Sequence, residues 1–203
     1  MNSKTPFRIV LFYTLCAILI AAVAGITFLR VKYYQPPLPQ IKAVPAFQLT
    51  ERSGKPLGLE DLKGKVLLVD FIYSECPGPC PMISSRFSKL QEEVLKDPNV
   101  LMVSITLNPA HDTVKVLNQY AERFHASPDR WLFLTGDKSN VLDLVVKGFM
   151  ITVLDQDDQK QPIIHSTKFA LVDKQGIIRA YYDAADETNR MEILRGIHQL
   201  SRE

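Results

Sequence analysis

Residues 9–29 (IVLFYTLCAILIAAVAGITFL) run for 21 positions without a charge. A helix of that length spans roughly 30 Å, the thickness of a hydrocarbon core. Nothing else in the chain limits its architecture as strongly, because such a segment must leave water. Two fates compete. A cleavable leader needs a small-x-small site, which Ala22-Val23-Ala24 supplies. Ile26-Thr27-Phe28-Leu29 then continue the apolar run past that site, which favours an uncleaved transmembrane anchor over 9–29. Lys4 and Arg8 precede the run, and Arg30 and Lys32 follow it. The N-terminal amine tips that near balance towards a cytoplasmic N-terminus (1–8) and a C-terminal part on the extracytoplasmic side. That side is a bacterial periplasm or cell surface, or the intermembrane space in a mitochondrion. Cys16, inside the run, reads as a bystander thiol.

Residues 30–45 carry Pro36, Pro37, Pro39 and Pro45 and read as an extended linker with a reach of about 45 Å. What remains, 46–203, is the right size for one domain. Outside residues 1–32, which contain no acidic residue, the chain holds 20 basic against 22 acidic residues. That balance gives no electrostatic footprint for nucleic acid, which is disfavoured as a partner. A hydrophobic content of 46% excludes a disordered chain, and 3 cysteines exclude a disulfide-stapled miniprotein.

Within the domain, Val66–Tyr73 is an almost continuous apolar run, the pattern of a central strand covered on both faces. Ile83, Phe87, Leu90 and Val94 then recur at helical spacing until Asp97-Pro98-Asn99. Val100–Thr106 reads as a second buried strand. Asp112 is placed to cap a helix carrying Val114, Leu117, Ala121 and Phe124. A short strand at Trp131–Leu134, a short helix at Ser139–Lys147, a hairpin around Lys174-Gln175-Gly176 and a last helix from Glu187 to Ser201 complete an α/β layered domain.

The chemistry concentrates between the first strand and the first helix, at Cys76-Pro77-Gly78-Pro79-Cys80. Ligands of open α/β sheets bind beyond the carboxyl ends of strands. Cys80 is expected near a helix N-terminus, where free N–H groups and the dipole lower a thiol's pKa. Pro77 and Pro79 stiffen the loop around Gly78. The pair suits a metal site, a disulfide exchanged with partners, or a plain structural disulfide, and spacing alone does not choose. A structural zinc site would need two further ligands. Of the four histidines, His198 falls in the last helix, His125 at a helix end and His111 in a solvated turn. His165 precedes Ser166-Thr167-Lys168 and the strand Phe169–Asp173. In a thioredoxin-like topology that segment faces the cysteine loop and usually carries a cis-proline; here the nearest proline is Pro162. Alone, His165 reads as an edge-of-strand polar residue; beside two cysteines the ligand reading is favoured. Two thiolates and an imidazole are a soft set that suits Cu(I) and also holds Cu(II), unlike the oxygen ligands of calcium or magnesium. Zinc, with water as fourth ligand, is the lesser fit.

Three blocks carry a wider resemblance. Val69–Met82 (VDFIYSECPGPCPM), Val103–Thr113 (VSITLNPAHDT) and His165–Asp173 (HSTKFALVD) are similar, in order and spacing, to the Sco/SenC family of copper-binding, thioredoxin-fold proteins. The resemblance implies a thioredoxin-like domain with a mixed central sheet flanked by helices behind a single N-terminal transmembrane helix. It implies a copper metallochaperone for the CuA centre of cytochrome c oxidase, binding one copper, Cu(I) or Cu(II), through Cys76, Cys80 and His165. Its partners would be the CuA-bearing oxidase subunit and a copper donor chaperone or thioredoxin-like reductant. The alternative role is a thiol–disulfide reductase that uses Cys76 and Cys80 as a redox pair. The family's second block usually has Asp before the proline; this chain has Asn108-Pro109, and Asp112 still matches. A peroxiredoxin-like peroxidase on the same fold is disfavoured, since Tyr73 and Pro77 stand where Thr or Ser is needed.

Overall fold

A computed structural model of the chain describes residues 5–34, 36–76, 78, 80–94, 96–155 and 163–203. The apolar run forms one helix, α1 (Thr5–Tyr33), with Ile9–Arg30 long and apolar enough to cross a membrane. Among the described residues no other helix meets that test. Its large apolar side chains, from Phe7 to Leu29, are exposed all round, as expected of a helix whose solvent is lipid.

The second compact unit, from Leu38 onward, is built on an eight-stranded sheet. Its elements are β1 (Lys42–Ala43), β2 (Gln48–Glu51), β3 (Pro56–Gly58), α2 (Leu59–Leu62), β4 (Val66–Ile72), α3 (Cys80–Val94), β5 (Val100–Thr106), α4 (Val114–Arg123) and β6 (Trp131–Thr135). There follow α5 (Lys138–Leu142), running into a π-helical stretch Asp143–Gly148, then β7 (Val153–Asp155), β8 (Ile163–His165), β9 (Lys168–Val172), β10 (Ile177–Asp183), a 3-10 turn at Glu187–Asn189 and α6 (Arg190–Arg202). The strand order is β1-β10-β9-β4-β5-β6-β2-β3; β4, β5 and β6 are parallel and the others antiparallel to their neighbours. The expected mixed sheet is present. β7 and β8 form a separate antiparallel pair.

Every residue of β4 is buried. Leu67, Val69 and Phe71 join the core under α5 and the π-helical stretch, together with Val141, Leu144 and Phe149. Val66, Leu68 and Ile72 join the opposite core with Phe87 and Leu90 of α3, Leu117 of α4 and Ile197 of α6. The period of two along a strand thus feeds two apolar layers, and it sends Asp70 into the second of them.

Two local outcomes differ from the sequence reading. Thr113, not Asp112, caps α4, its hydroxyl accepting from the Val116 N–H. The proline-containing stretch is held to the domain from Leu38 onward. Arg179 sits at a register shift between β9 and β10, and such bulges turn a side chain off its strand's alternation. Buried to 5% exposure, its guanidinium donates to the Leu38 and Pro39 carbonyls and pairs with Asp173 at 2.9 Å and Glu203 at 2.7 Å. β1 then adds to the β10 edge.

Candidate metal and redox site

β4 ends at Ile72 and the chain turns at once, the Cys76 N–H bonding the Tyr73 carbonyl at 3.2 Å. Cys80 opens α3. Both thiols are therefore at the carboxyl end of the central strand, and both are buried, Cys76 at 8% exposure and Cys80 at 1%. They are reduced and within hydrogen-bonding reach of each other. Pro77 and Pro79 lie outside the described residues.

The electrostatics of the pair are asymmetric. Cys76 is lowered to about 5, first because the Cys80 thiol donates to its sulfur. The Cys80 and Gly78 backbone N–H groups and the Tyr73 hydroxyl add to this against the opposing effect of burial. Cys80 is pushed up, because its proton is held by Cys76 and its own sulfur is the more deeply buried. Burial, then the Cys76 sulfur, push the Tyr73 phenol up. The sequence placed the favoured thiolate at Cys80. The structure gives it to Cys76, because the Cys80 thiol donates to the Cys76 sulfur and the Cys80 and Gly78 backbone N–H groups add to that donation. The ultraviolet absorbance of thiolate at this position, read as the difference between native and Cys76→Ser chains, is expected to titrate near pH 5 rather than 8.5. A midpoint above 7 would contradict the donor arrangement just described.

A second layer, which sequence reasoning did not identify, holds the loop. Asp112 is fully buried. Its carboxylate accepts from the Ser74 N–H at 3.1 Å and from the Ser74 and Thr106 hydroxyls, tying the turn before Cys76 to the end of β5. Asn108 serves through its backbone: its carbonyl accepts the N–H groups of His111 and Asp112 at 3.1 and 2.8 Å. That local role does not need the family's aspartate. Asp70 lies one strand position below Phe71 with both oxygens buried and meeting no hydrogen-bond partner of good geometry, and burial raises it to about 7. A charged residue inside an otherwise apolar strand was the available signal for it.

His165 ends β8, its backbone paired opposite Val153, and the adjoining Ser166 N–H bonds the Thr152 carbonyl. Its imidazole lies outside the described residues, as does Pro162. His125 and His198 are exposed. His111, read as solvated, is 40% exposed in its side chain and engaged at both ring nitrogens.

The SCO1/SenC family model matches residues 36–201. The SCO1 protein homolog of Bacillus subtilis is 30% identical over 160 residues, which cover 78% of this chain and 82% of the relative. The solved structure of BsSco, described as carrying a disulfide switch and as a member of the Sco family of cytochrome c oxidase assembly proteins, superposes with a TM-score of 0.74 at 29% identity. It covers 83% of this chain and 99% of its own. Bradyrhizobium japonicum ScoI with copper bound shares the fold at a TM-score of 0.66 and 22% identity, over 79% of this chain and 99% of that one. With two thiols at the end of a buried parallel strand and a match running from the linker into the last helix, this chain belongs to the SCO1/SenC family.

Proposed function

We propose that this protein is a membrane-anchored copper metallochaperone for the CuA centre of cytochrome c oxidase, its domain on the extracytoplasmic side. Copper is its cargo, taken by Cys76, Cys80 and His165. The observation that carries this reading is the reduced cysteine pair, poised with one sulfur as thiolate and enclosed by apolar side chains and a phenol. Such a soft donor set selects copper over hard cations. The second proton leaves Cys80 as the metal takes its place. Transfer then proceeds by ligand exchange, with the recipient's thiolates displacing these sulfurs while the ion stays coordinated.

The asymmetry of the pair supports a reductase role as the second reading. The Cys76 thiolate attacks a partner disulfide and expels one partner thiolate. Cys80, once deprotonated, attacks the Cys76 sulfur and expels the other, so the partner gains two electrons and this chain ends as the Cys76–Cys80 disulfide. The roles are compatible, since only reduced sulfurs bind copper.

The reduced full-length chain in detergent, titrated with Cu(I) without oxygen and mixed with the copper-free CuA-bearing oxidase subunit, separates them. One copper retained per chain and recovered on the subunit is the expected result. No retained copper, with stoichiometric reduction of the subunit's disulfide, would leave only the reductase.

A further inference from the structure

On the sheet face covered by α3 and α6, a cavity of about 260 Å³ lies between α3 and the chain that leads from β10 into α6. Its floor is apolar: Leu90 of α3, Phe169 of β9, Ala184, and Ile193 of α6, all members of the core beneath. Its rim is charged, with Arg86 and Lys89 on α3, Arg190 on α6, and Asp186 and Glu187 in the turn before α6. Arg86 reaches across from α3, its Nη1 donating to the Ala184 carbonyl at 2.9 Å.

Both carboxylates of the rim are committed. Asp186 caps the 3-10 turn, accepting from the Thr188 N–H at 2.8 Å and from its hydroxyl at 2.7 Å. Glu187 takes the Arg86 Nη2 at 3.3 Å from an exposed position, while the arginine side chain is 19% exposed. The cations are not matched in the same way. The Arg86 Nε is buried and meets no acceptor. Lys89 has no ion-pair partner among the described residues. Arg190 stands 3.7 Å from Glu93, a carboxylate that Lys96 already holds at 2.7 Å. Three cations against two carboxylates leave the rim one positive charge, beside a largely buried guanidinium whose planar fork fits a carboxylate.

We propose that this pocket docks an acidic peptide segment of a partner protein, one carboxylate side chain beside one apolar side chain. The carboxylate completes the rim of Arg86, Lys89 and Arg190, and the apolar side chain covers Leu90, Phe169 and Ile193. The volume favours a segment over a free small molecule: it falls below the roughly 300–1,000 Å³ of sites that enclose one, and suits one or two side chains. The single excess charge disfavours a membrane surface, because Asp186 and Glu187 would face its phosphates and repel them. An apolar floor edged by arginine is the make-up of anchor pockets at protein interfaces. Arg86 stands six residues, about 9 Å along α3, from Cys80, and Phe169 follows His165 by four residues. A segment held here therefore lies on the flank of the cysteine site. Its use in presenting a partner to that site rests on the function proposed above; the pocket itself contains no residue of the site and does not.

The test uses the full-length, copper-free chain in detergent and rhodamine-labelled heptapeptides with Glu, Gln or Lys at the centre, flanked by Leu, Phe or Ser. By fluorescence polarisation, the Glu peptides with Leu or Phe neighbours are expected to bind at least about tenfold more tightly than their Gln counterparts. The Lys peptides should be weaker still. Lys89→Glu and Arg190→Glu alter exposed side chains, so the fold is expected to keep its circular dichroism. Each should weaken the Glu peptides several-fold, and the two together more than tenfold. The Cys76→Ser/Cys80→Ser chain is expected to bind the peptides as the native chain does, which separates this outcome from that of the copper titration. Glu and Gln peptides bound equally, no peptide bound, or binding unmoved by the double reversal in a folded chain would each overturn the proposal. Displacement of the Glu peptide by an equal concentration of dioctanoyl phosphatidylglycerol would overturn it too, and give the pocket to a lipid headgroup.

Discussion

Above neutral pH the Asp70→Asn chain is expected to be more stable than the native one, by a margin that widens as pH rises from 5 to 8. Asp70 is the one charged residue of β4, wholly buried on the face covered by α3. Ser104 stands opposite it in the parallel register with β5, its oxygen accepting the Trp131 Nε1–H at 2.7 Å. A serine hydroxyl and a backbone amide stabilise the carboxylate less than burial destabilises it, and the group rises from 3.8 to about 7. The sign follows from proton binding. Between those two values the native state holds a proton that the unfolded chain has released, so stability falls as pH rises and the loss is complete only above about 7. At about 1.4 kcal/mol per unit, the penalty is on the order of 4 kcal/mol. Asparagine has the same shape and no charge to bury, so it removes the slope. Denaturant unfolding followed by Trp131, the single tryptophan, at pH 5 and pH 8 measures the difference. Two chains with the same pH dependence would show that the carboxyl is ionised in the fold at no cost.

Why the sequence concealed that residue is instructive about the rest. β4, β5 and α3 were legible because each repeats one physical demand along several consecutive residues: burial on two faces for Val66–Ile72 and Val100–Thr106, and on one face for Ile83, Phe87, Leu90 and Val94. Strands that lack such repetition escaped notice. β2 and β3 alternate weakly and include Pro56; β1 has two residues within a proline-rich stretch; β7 and β8 have three each. Their pairing is decided by partners distant in the chain. The candidate site divides in the same way. Cys76 and Cys80 announce themselves by type and spacing. The order of their acidities depends on which thiol donates to the other, which spacing does not encode. Asp112 reads locally as a helix cap because aspartate is a good one. Its actual partners, Ser74 and Thr106, come from the ends of two different strands, and satisfying three donors with a buried carboxylate outweighs one cap that Thr113 can supply.

The largest effect expected of any single substitution is on copper. Cys80→Ser is expected to weaken Cu(I) binding by more than a hundredfold, beyond the 10–100-fold that loss of an outer-shell partner costs. Cys80 is the more buried of the two sulfurs, and a buried serine hydroxyl neither ionises nor offers a soft donor. The serine O–H is itself a donor and can keep the hydrogen bond that most lowers Cys76, so the expected loss is that of the second soft ligand rather than of the remaining thiolate. Cys76→Ser removes the ready thiolate itself and is expected to be at least as damaging. His165→Ala is the variant that separates the two proposed activities. It removes no sulfur, so exchange with a partner disulfide should proceed at close to the native rate, while tight copper retention is lost. Competition with a Cu(I) chelator of known affinity, run beside a disulfide-reduction assay on the same three chains, reads both quantities. Native copper affinity in His165→Ala would exclude that imidazole from the ligand set. Native affinity in Cys80→Ser would remove the thiolate pair from the proposed ligand set.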